Sequence, residues 1–85
     1  MYEIILENPA EKFLKKLDKN TQRRIINKLK ELQDNPLGIP LIGNLSGMYK
    51  LRIGDYRTIY AVKNEQLIIL VLKIGHRKNV YGSFE

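Results

Sequence analysis

The 85-residue sequence contains no cysteine, no tryptophan and a single histidine, His76. Without cysteine the chain can form neither a disulfide nor a thiolate metal site, and one histidine is too few for a transition-metal site. A catalytic pair of histidines is excluded as well. Asp55, Glu65 and Glu85 are spread through the second half, so no carboxylate pair suited to Mg²⁺ is visible. We therefore expect no metal and no cofactor.

Long apolar runs are also missing. The longest, residues 67–72, is far too short to cross a bilayer, and the N-terminus lacks the basic and then apolar layout of a signal peptide. We expect a soluble cytoplasmic protein without a membrane partner. A chain of this size fits one domain, residues 1–85, which buries roughly 60 to 65% of the surface that its unfolded form exposes.

Positive charge is in excess, with a formal net charge of +6. It is concentrated in residues 48–85, which hold seven Lys or Arg against three Asp or Glu, compared with eight against six in residues 1–47. Such an excess favours nucleic acid, an anionic surface or an acidic protein as partner, and by itself does not choose among them.

The N-terminal region predicts a strand followed by a helix. Residues 2–6 alternate in the manner of a strand with one buried face. Asn8 then offers an N-cap, Pro9 suits the first helical position, and Glu11 is placed to reach back to the Asn8 backbone. The following apolar residues recur at helical spacing and predict an amphipathic helix.

A second amphipathic helix is predicted next, capped by Asp18 or Asn20 and ended by Asn35-Pro36, so that the two helices form a hairpin. Residues 35–47 contain five Pro or Gly residues, too many for a regular element. We expect an ordered loop, held on the body of the protein by its apolar side chains.

The remainder predicts sheet. Residues 48–53 and 56–62 form a hairpin, residues 64–65 make a second turn, and residues 66–74 form a nearly all-apolar strand suited to the centre of the sheet. The complete order predicts an α+β fold. It consists of an N-terminal strand, a helical hairpin and three antiparallel strands in one small sheet with the helices packed on one face.

The hairpin brings three cations together. A two-residue turn at Gly54-Asp55 sets Arg52 directly against Arg57. It also sets Lys50 against Ile59, and alternation then places the three cations on the same face. Like charges opposite one another destabilise a sheet, so this pairing indicates an anion site, most simply for phosphate. A solvated sheet edge is the alternative, and a turn of another length would remove the pairing.

A second basic segment, Arg77 and Lys78, follows the last strand. By the same register Arg57 lies opposite Leu72, and a bulge at Gly75 would turn Arg77 toward the first cluster. Both clusters would then share one side of the sheet.

Two further residues beside this segment have alternative interpretations. His76 is either an ordinary surface residue or a proton carrier near the cations. Tyr81 either anchors the C-terminal segment on the sheet or provides a platform on which a base stacks.

In these motifs the sequence resembles the RelE/ParE toxin superfamily, and specifically the RelE-like mRNA interferases of type II toxin-antitoxin systems. The resemblance covers nearly the whole chain. It includes Leu45-Ser46-Gly47, the run YKLRIGDYRTIY over residues 49–60, the strand LIILVLKIG and the closing motif GHRKNVY over residues 75–81.

The resemblance implies a metal-independent endoribonuclease. RelE-like toxins cleave mRNA in the ribosomal A site, by attack of a ribose 2′-OH on the adjacent phosphate, and so inhibit translation. Matched positions imply Lys50 as general base, and Arg52 and Arg57 as stabilisers of the phosphorane charge. Arg77 resembles the general acid or leaving-group stabiliser, and Tyr81 the residue that stacks on the substrate base. Lys78 and His76 are expected to contact substrate.

The implied partners are a cognate RelB-like antitoxin, the ribosome and mRNA, with operator DNA contacted only indirectly through the antitoxin. One alternative is a ParE-like toxin that binds and inhibits DNA gyrase without RNA cleavage, because a similar hairpin occurs in that branch. A plain nucleic-acid-binding module is a third interpretation.

Overall fold

The computed structural model describes residues 1–76, and residues 77–85 lie outside the described part. The strands and helices are, in chain order, β1 (Glu3–Leu6), α1 (Asn8–Lys15), α2 (Lys19–Lys30), β2 (Ile39–Pro40), β3 (Met48–Ile53), β4 (Tyr56–Lys63) and β5 (Ile68–His76). Single 3-10 turns occupy Glu31–Gln33 and Gly43–Leu45. Within residues 1–76, no helix has the length and apolar character needed to cross a membrane.

The five strands form one sheet in the order β1-β5-β4-β3-β2. Strand β1 runs parallel to β5, and every other neighbouring pair is antiparallel. Both helices pack on one face, with α1 against β5 and α2 against β3. The predicted α+β class is confirmed, although β4 takes the central position that we expected for the last strand.

The start of α1 differs from the prediction. The N-cap is Glu7, and Asn8 is already helical. The Glu7 N–H donates a hydrogen bond to the Val71 carbonyl of β5 at 2.9 Å. The residue that caps α1 therefore still pairs with the sheet. Glu11 does not reach back to Asn8; its carboxylate pairs with Lys15 Nζ at 2.9 Å.

Helix α2 begins at the first of the two predicted caps. The Asp18 carboxylate accepts hydrogen bonds from the Thr21 N–H at 3.1 Å and from the Thr21 hydroxyl at 2.6 Å. These bonds stabilise the ionised carboxylate and lower the pKa of Asp18 from its ordinary value of 3.8. The helix ends at Lys30, and a 3-10 turn carries the chain on toward Asn35.

The predicted loop over residues 35–47 contains a strand that the sequence did not reveal. Ile39 pairs with Lys50, and Pro40 pairs with Tyr49, so that β2 adds an edge to the sheet. Proline has no N–H to donate and is tolerated in a strand only at such an edge. Because Pro and Gly are frequent in residues 35–47, the sequence predicted a loop there and missed the two-residue strand β2.

The core lies between the helices and one face of the sheet. It is built from these buried residues: Ala10, Leu14, Ile25, Leu29, Leu32, Ile53, Tyr60, Ile69, Val71 and Ile74. On β5 the inward residues change phase, because Ile74 and Val71 both face the core although they are three positions apart. A β-bulge produces this change.

The register between β4 and β5 therefore differs from the prediction. Ile59 pairs with Lys73 and Tyr60 pairs with Val71, which leaves Leu72 as the extra residue. As a result Arg57 lies opposite Gly75, not Leu72. The predicted bulge at Gly75 is wrong, since Gly75 is a regular paired residue of β5. The nearly all-apolar strand lacks the alternation that would have indicated its phase.

Candidate anion-binding site

The hairpin of β3 and β4 has the predicted register. Arg52 pairs with Arg57 and Lys50 pairs with Ile59. Gly54 takes φ +59 in the two-residue turn, a left-handed conformation that hairpin turns of the primed types require at this position and that glycine adopts without strain. The like-charged pair is thus a property of the folded hairpin.

The three cations lie on the face of the sheet opposite the helices. Their neighbours along the strands, Ile53 and Thr58, are buried on the helix side, and alternation sends Arg52 and Arg57 the other way. There Lys50, Arg52 and Arg57 line a pocket of about 230 Å³, together with Ile39 of β2. We call this the cationic pocket.

Arg57 brings a buried nitrogen without a hydrogen-bond partner to the cationic pocket. Its Nη1 atom is buried, and none of residues 1–76 gives it a hydrogen-bond acceptor. Arg52 makes one long contact, from Nε to the Gly54 carbonyl at 3.5 Å. The ion pairs within residues 1–76 join helical residues, Lys15 to Glu11 and Lys28 to Glu31, and leave both arginines without a carboxylate.

This arrangement suits an oxyanion. A buried charged group without a hydrogen bond is costly, and an anion with several acceptor oxygens would supply the missing partner. Two guanidinium groups and an ammonium provide planar, multidentate recognition together with a point charge, the combination that binds phosphate well. In the part of the chain that the structure describes, no three His, Asp or Glu side chains converge to hold a metal ion.

His76 is not brought to the cationic pocket. It pairs with Tyr56 at the end of β5, and the two rings lie edge to face with centroids 6.1 Å apart. Tyr56 in turn packs against Phe13 of α1, at a centroid distance of 6.0 Å. His76 therefore faces the helix side of the sheet, away from Arg57.

The other predicted site residues, Arg77, Lys78 and Tyr81, lie outside the described residues. Their roles remain predictions from the sequence.

Two residues of the site were missed at the level of sequence. Ile39 forms one wall of the cationic pocket, and Tyr60 holds the segment that carries it, through a hydrogen bond from its hydroxyl to the Pro36 carbonyl at 2.9 Å. Burial raises the pKa of Tyr60 to about 12, so the hydroxyl keeps its proton and remains a donor. A tyrosine in the middle of an apolar strand was the available signal, because buried hydroxyls usually have a partner.

The family model described as the ParE toxin of type II toxin-antitoxin systems, parDE, matches residues 4–81. The chain belongs to this toxin family. It is a toxin of a type II toxin-antitoxin system, and the predicted membership of the RelE/ParE superfamily is confirmed.

Relatives of this ParE-family toxin carry RelE-like names. A putative RelE-like toxin protein of Escherichia coli is 36% identical over 80 residues, which cover 91% of this chain and 84% of the relative. Toxin RelG of Mycobacterium tuberculosis is 34% identical over 53 residues, covering 60% of this chain and 61% of the relative.

Solved structures of similar fold include toxin-antitoxin complexes. A chain of the RelBE2 complex of M. tuberculosis superimposes with a TM-score of 0.81 at 28% identity, covering 89% of this toxin and 98% of that chain. A chain of the intact E. coli RelBE complex gives a TM-score of 0.75 at 26% identity, covering 89% and 96%. The fold of this toxin is that of the RelE chains.

Proposed function

We propose that this toxin is a metal-independent endoribonuclease that cleaves mRNA in the ribosomal A site and thereby inhibits translation. The observation that carries the proposal is the cationic pocket, in which Arg57 Nη1 is buried without a partner beside Arg52 and Lys50. The RelE-like names of relatives of this ParE-family toxin agree with it.

The chemistry assigned to the pocket is an attack of the ribose 2′-OH on the neighbouring phosphate. The O2′–P bond forms, the bond from phosphorus to the 5′ oxygen of the next nucleotide breaks, and the products carry a 2′,3′-cyclic phosphate and a 5′-OH. Lys50 is assigned to accept the 2′-OH proton. Arg52 and Arg57 stabilise the extra negative charge of the phosphorane, where preformed donors act most strongly.

The leaving 5′ oxygen takes a proton from solvent water as its bond breaks. Arg77, which follows β5, is assigned to stabilise this oxygen electrostatically, because arginine holds its proton too tightly to be a good acid. Tyr81 is assigned to stack on the substrate base. Lys78 is assigned a supporting phosphate contact.

The small size of the pocket supports a proposed role for the ribosome in holding the RNA. Sites that engulf a small ligand enclose about 300 to 1,000 Å³. At about 230 Å³ the cationic pocket holds one phosphate and its immediate surroundings, and does not orient a flexible RNA strand. Correct positioning contributes about 7 to 11 kcal/mol in a well-arranged reaction. We assign that contribution to the ribosome and expect little cleavage of naked RNA.

The proposed partner in the resting cell is a RelB-like antitoxin. The similar structures of RelE-type toxins include complexes with RelB chains, and one contains an antitoxin peptide bound to RelE. We place the complex in the cytoplasm. The toxin itself contacts operator DNA only through the antitoxin.

A second candidate function is inhibition of DNA gyrase. It is favoured by the description of the family model, which is that of the ParE toxin. A gyrase inhibitor needs a binding surface and has no use for a phosphorane-stabilising pair of arginines, so the two candidates differ in their dependence on Arg57.

The deciding experiment is induced expression of wild type and Arg57→Ala, with mapping of mRNA 5′ ends and measurement of DNA breaks. Loss of one donor to a developing oxyanion lowers turnover about 100- to 1,000-fold. We therefore expect new mRNA 5′ ends with wild type and almost none with Arg57→Ala. Arg23→Ala, which removes an exposed arginine of α2, is the matched control and should cleave normally.

Growth arrest with intact mRNA and accumulating DNA breaks would overturn the ribonuclease proposal in favour of gyrase inhibition. Unchanged cleavage by Arg57→Ala would show that the cationic pocket is not the active site.

A further inference from the structure

Ile39 occupies an unusual position for a large aliphatic side chain. It is 58% exposed, yet it lines the cationic pocket together with Lys50, Arg52 and Arg57. Backbone pairing sets it directly beside Lys50. Among residues 1–76, the other side chains that line the pocket are cations, and Ile39 is its apolar surface.

The segment that carries Ile39 is held from both sides. On one side the Tyr60 hydroxyl donates to the Pro36 carbonyl at 2.9 Å, and on the other the Leu41 N–H donates to the Met48 carbonyl at 2.9 Å. Gly38 allows this close approach. A Cβ built there would lie 2.5 Å from the Tyr60 hydroxyl and 2.8 Å from the Lys50 carbonyl. Ile39 is therefore a fixed wall and not a mobile loop residue.

Other exposed aliphatic residues of the same segment do not share this environment. Ile42 is 87% exposed and Leu37 is 61% exposed. Neither lines the cationic pocket, and Leu37 instead contacts a separate pocket beside α2. Several aliphatic side chains of this segment are thus exposed, and of these three residues Ile39 is the one that lies against the cations.

We propose that Ile39 is a substrate-contacting residue whose side chain packs against the nucleobase next to the phosphate held by the cations. This inference rests on the proposed function and names the ligand of the site as one nucleotide unit of a single strand. A nucleotide joins a phosphate to a flat apolar ring face, and the pocket joins three cations to one apolar wall. Enzymes that act on single nucleotides commonly pack apolar side chains on the base in this way.

The contact has two consequences for recognition. Isoleucine makes no hydrogen bond, so it senses the ring face and not the base edges, and it should discriminate little among the four bases. It also distinguishes a polynucleotide from free phosphate or pyrophosphate, which offers nothing to the apolar wall. Ile39 would then contribute to substrate positioning while the cations stabilise charge.

The test compares two short single-stranded RNAs that are 2′-O-methylated to prevent cleavage, one with bases and one abasic throughout. Binding to purified toxin is measured by fluorescence anisotropy at low salt. An aliphatic side chain contacts a base less extensively than an aromatic one, so its removal should have a smaller effect on binding than removal of a stacking ring. We expect Ile39→Ala to weaken binding of the base-containing RNA about fivefold and to leave the abasic RNA unchanged.

Two further variants control for folding and for the kind of contact. Ile42→Ala removes an equal aliphatic group outside the pocket and should bind both RNAs like wild type. Ile39→Phe keeps an apolar face and should bind the base-containing RNA at least as well as wild type. An equal loss on both RNAs, or no loss with Ile39→Ala, overturns the inference.

This experiment does not depend on cleavage. If wild type binds in the expected pattern but leaves mRNA intact in cells, the proposed function fails and the nucleobase contact remains. If mRNA is cleaved while Ile39→Ala binds both RNAs like wild type, the inference about Ile39 fails alone.

Discussion

At the scale of single residues, Arg57 and Thr58 are neighbours on β4, and each has a buried polar atom without a hydrogen-bond partner within residues 1–76. The two atoms lie on opposite faces of the sheet, in different surroundings. Arg57 Nη1 lies on the face of the sheet opposite the helices, beside two other cations. Thr58 Oγ1 lies on the helix face, where the side chain is fully buried. The first has a pocket through which an anion can reach it. The Thr58 hydroxyl is surrounded by the apolar core, so its burial lowers the stability of the fold by the free energy of desolvation.

Thr58→Val should therefore stabilise the protein. Valine has nearly the same shape and lacks the hydroxyl, whose burial without a partner costs about 1 to 3 kcal/mol. We expect the free energy of unfolding to rise by roughly 1 kcal/mol, measured by denaturant titration. Thr21→Val is the contrasting control, since it removes the hydroxyl hydrogen bond to Asp18, keeps the backbone one, and should lower stability. A loss of stability with Thr58→Val would indicate that its hydroxyl does have a partner.

At the scale of elements, local rules worked where a short motif determines the geometry. The two-residue turn with Gly54 at positive φ sets the pairing of Arg52 with Arg57, and no distant residue is needed. The rules failed where distant residues decide. Strand β2 depends on Tyr60, which is 24 residues from its partner Pro36, and on the free edge of β3.

The N-cap of α2 gives a pH-dependent prediction. The hydrogen bonds from Thr21 depress the pKa of Asp18 below its ordinary value of 3.8. A carboxyl group with a depressed pKa contributes stability above its unfolded pKa, and that contribution is lost as the pH falls through the folded pKa. Asp18→Ala should therefore lower the thermal midpoint at neutral pH, and the difference from wild type should shrink on acidification.

The measurement is thermal unfolding followed by circular dichroism between neutral and strongly acid pH. Asp18→Asn serves as control, because asparagine caps helices about as well as aspartate but does not titrate. It should retain most of the stability at neutral pH. If the difference in thermal midpoint between wild type and Asp18→Ala stays constant across the pH range, the capping role of the Asp18 carboxylate is contradicted.

At the scale of the whole molecule, helices cover one face of the sheet and cations meet on the other. The chain has a net charge of +6, and three of its positively charged residues lie together in the cationic pocket. An anion that binds only the folded state stabilises it by mass action, by about 1.4 kcal/mol at a concentration ten times Kd. For a domain of this size, that is a rise in thermal midpoint of roughly 6 to 11 °C.

Inorganic pyrophosphate, added at constant ionic strength, should accordingly raise the thermal midpoint of wild type. Arg57→Ala should lose most of this rise, while Arg23→Ala should keep it, since its exposed guanidinium lies on α2. Comparison at equal ionic strength separates binding from general screening. Equal rises in all three proteins would mean that the anion acts on net charge and not at the cationic pocket.

Turn length, helical periodicity and a capping side chain determined the α+β class, the hairpin register and the convergence of Lys50, Arg52 and Arg57, because each of these depends on residues close together in the chain. Tertiary structure alone decided the rest. The β-bulge decides which residues of β5 face the core. An all-apolar run has no alternation of apolar and polar residues from which this could be read. The same bulge places Arg57 opposite Gly75, with His76 on the far face. Ile39 joins the pocket only because a buried tyrosine holds its strand in place.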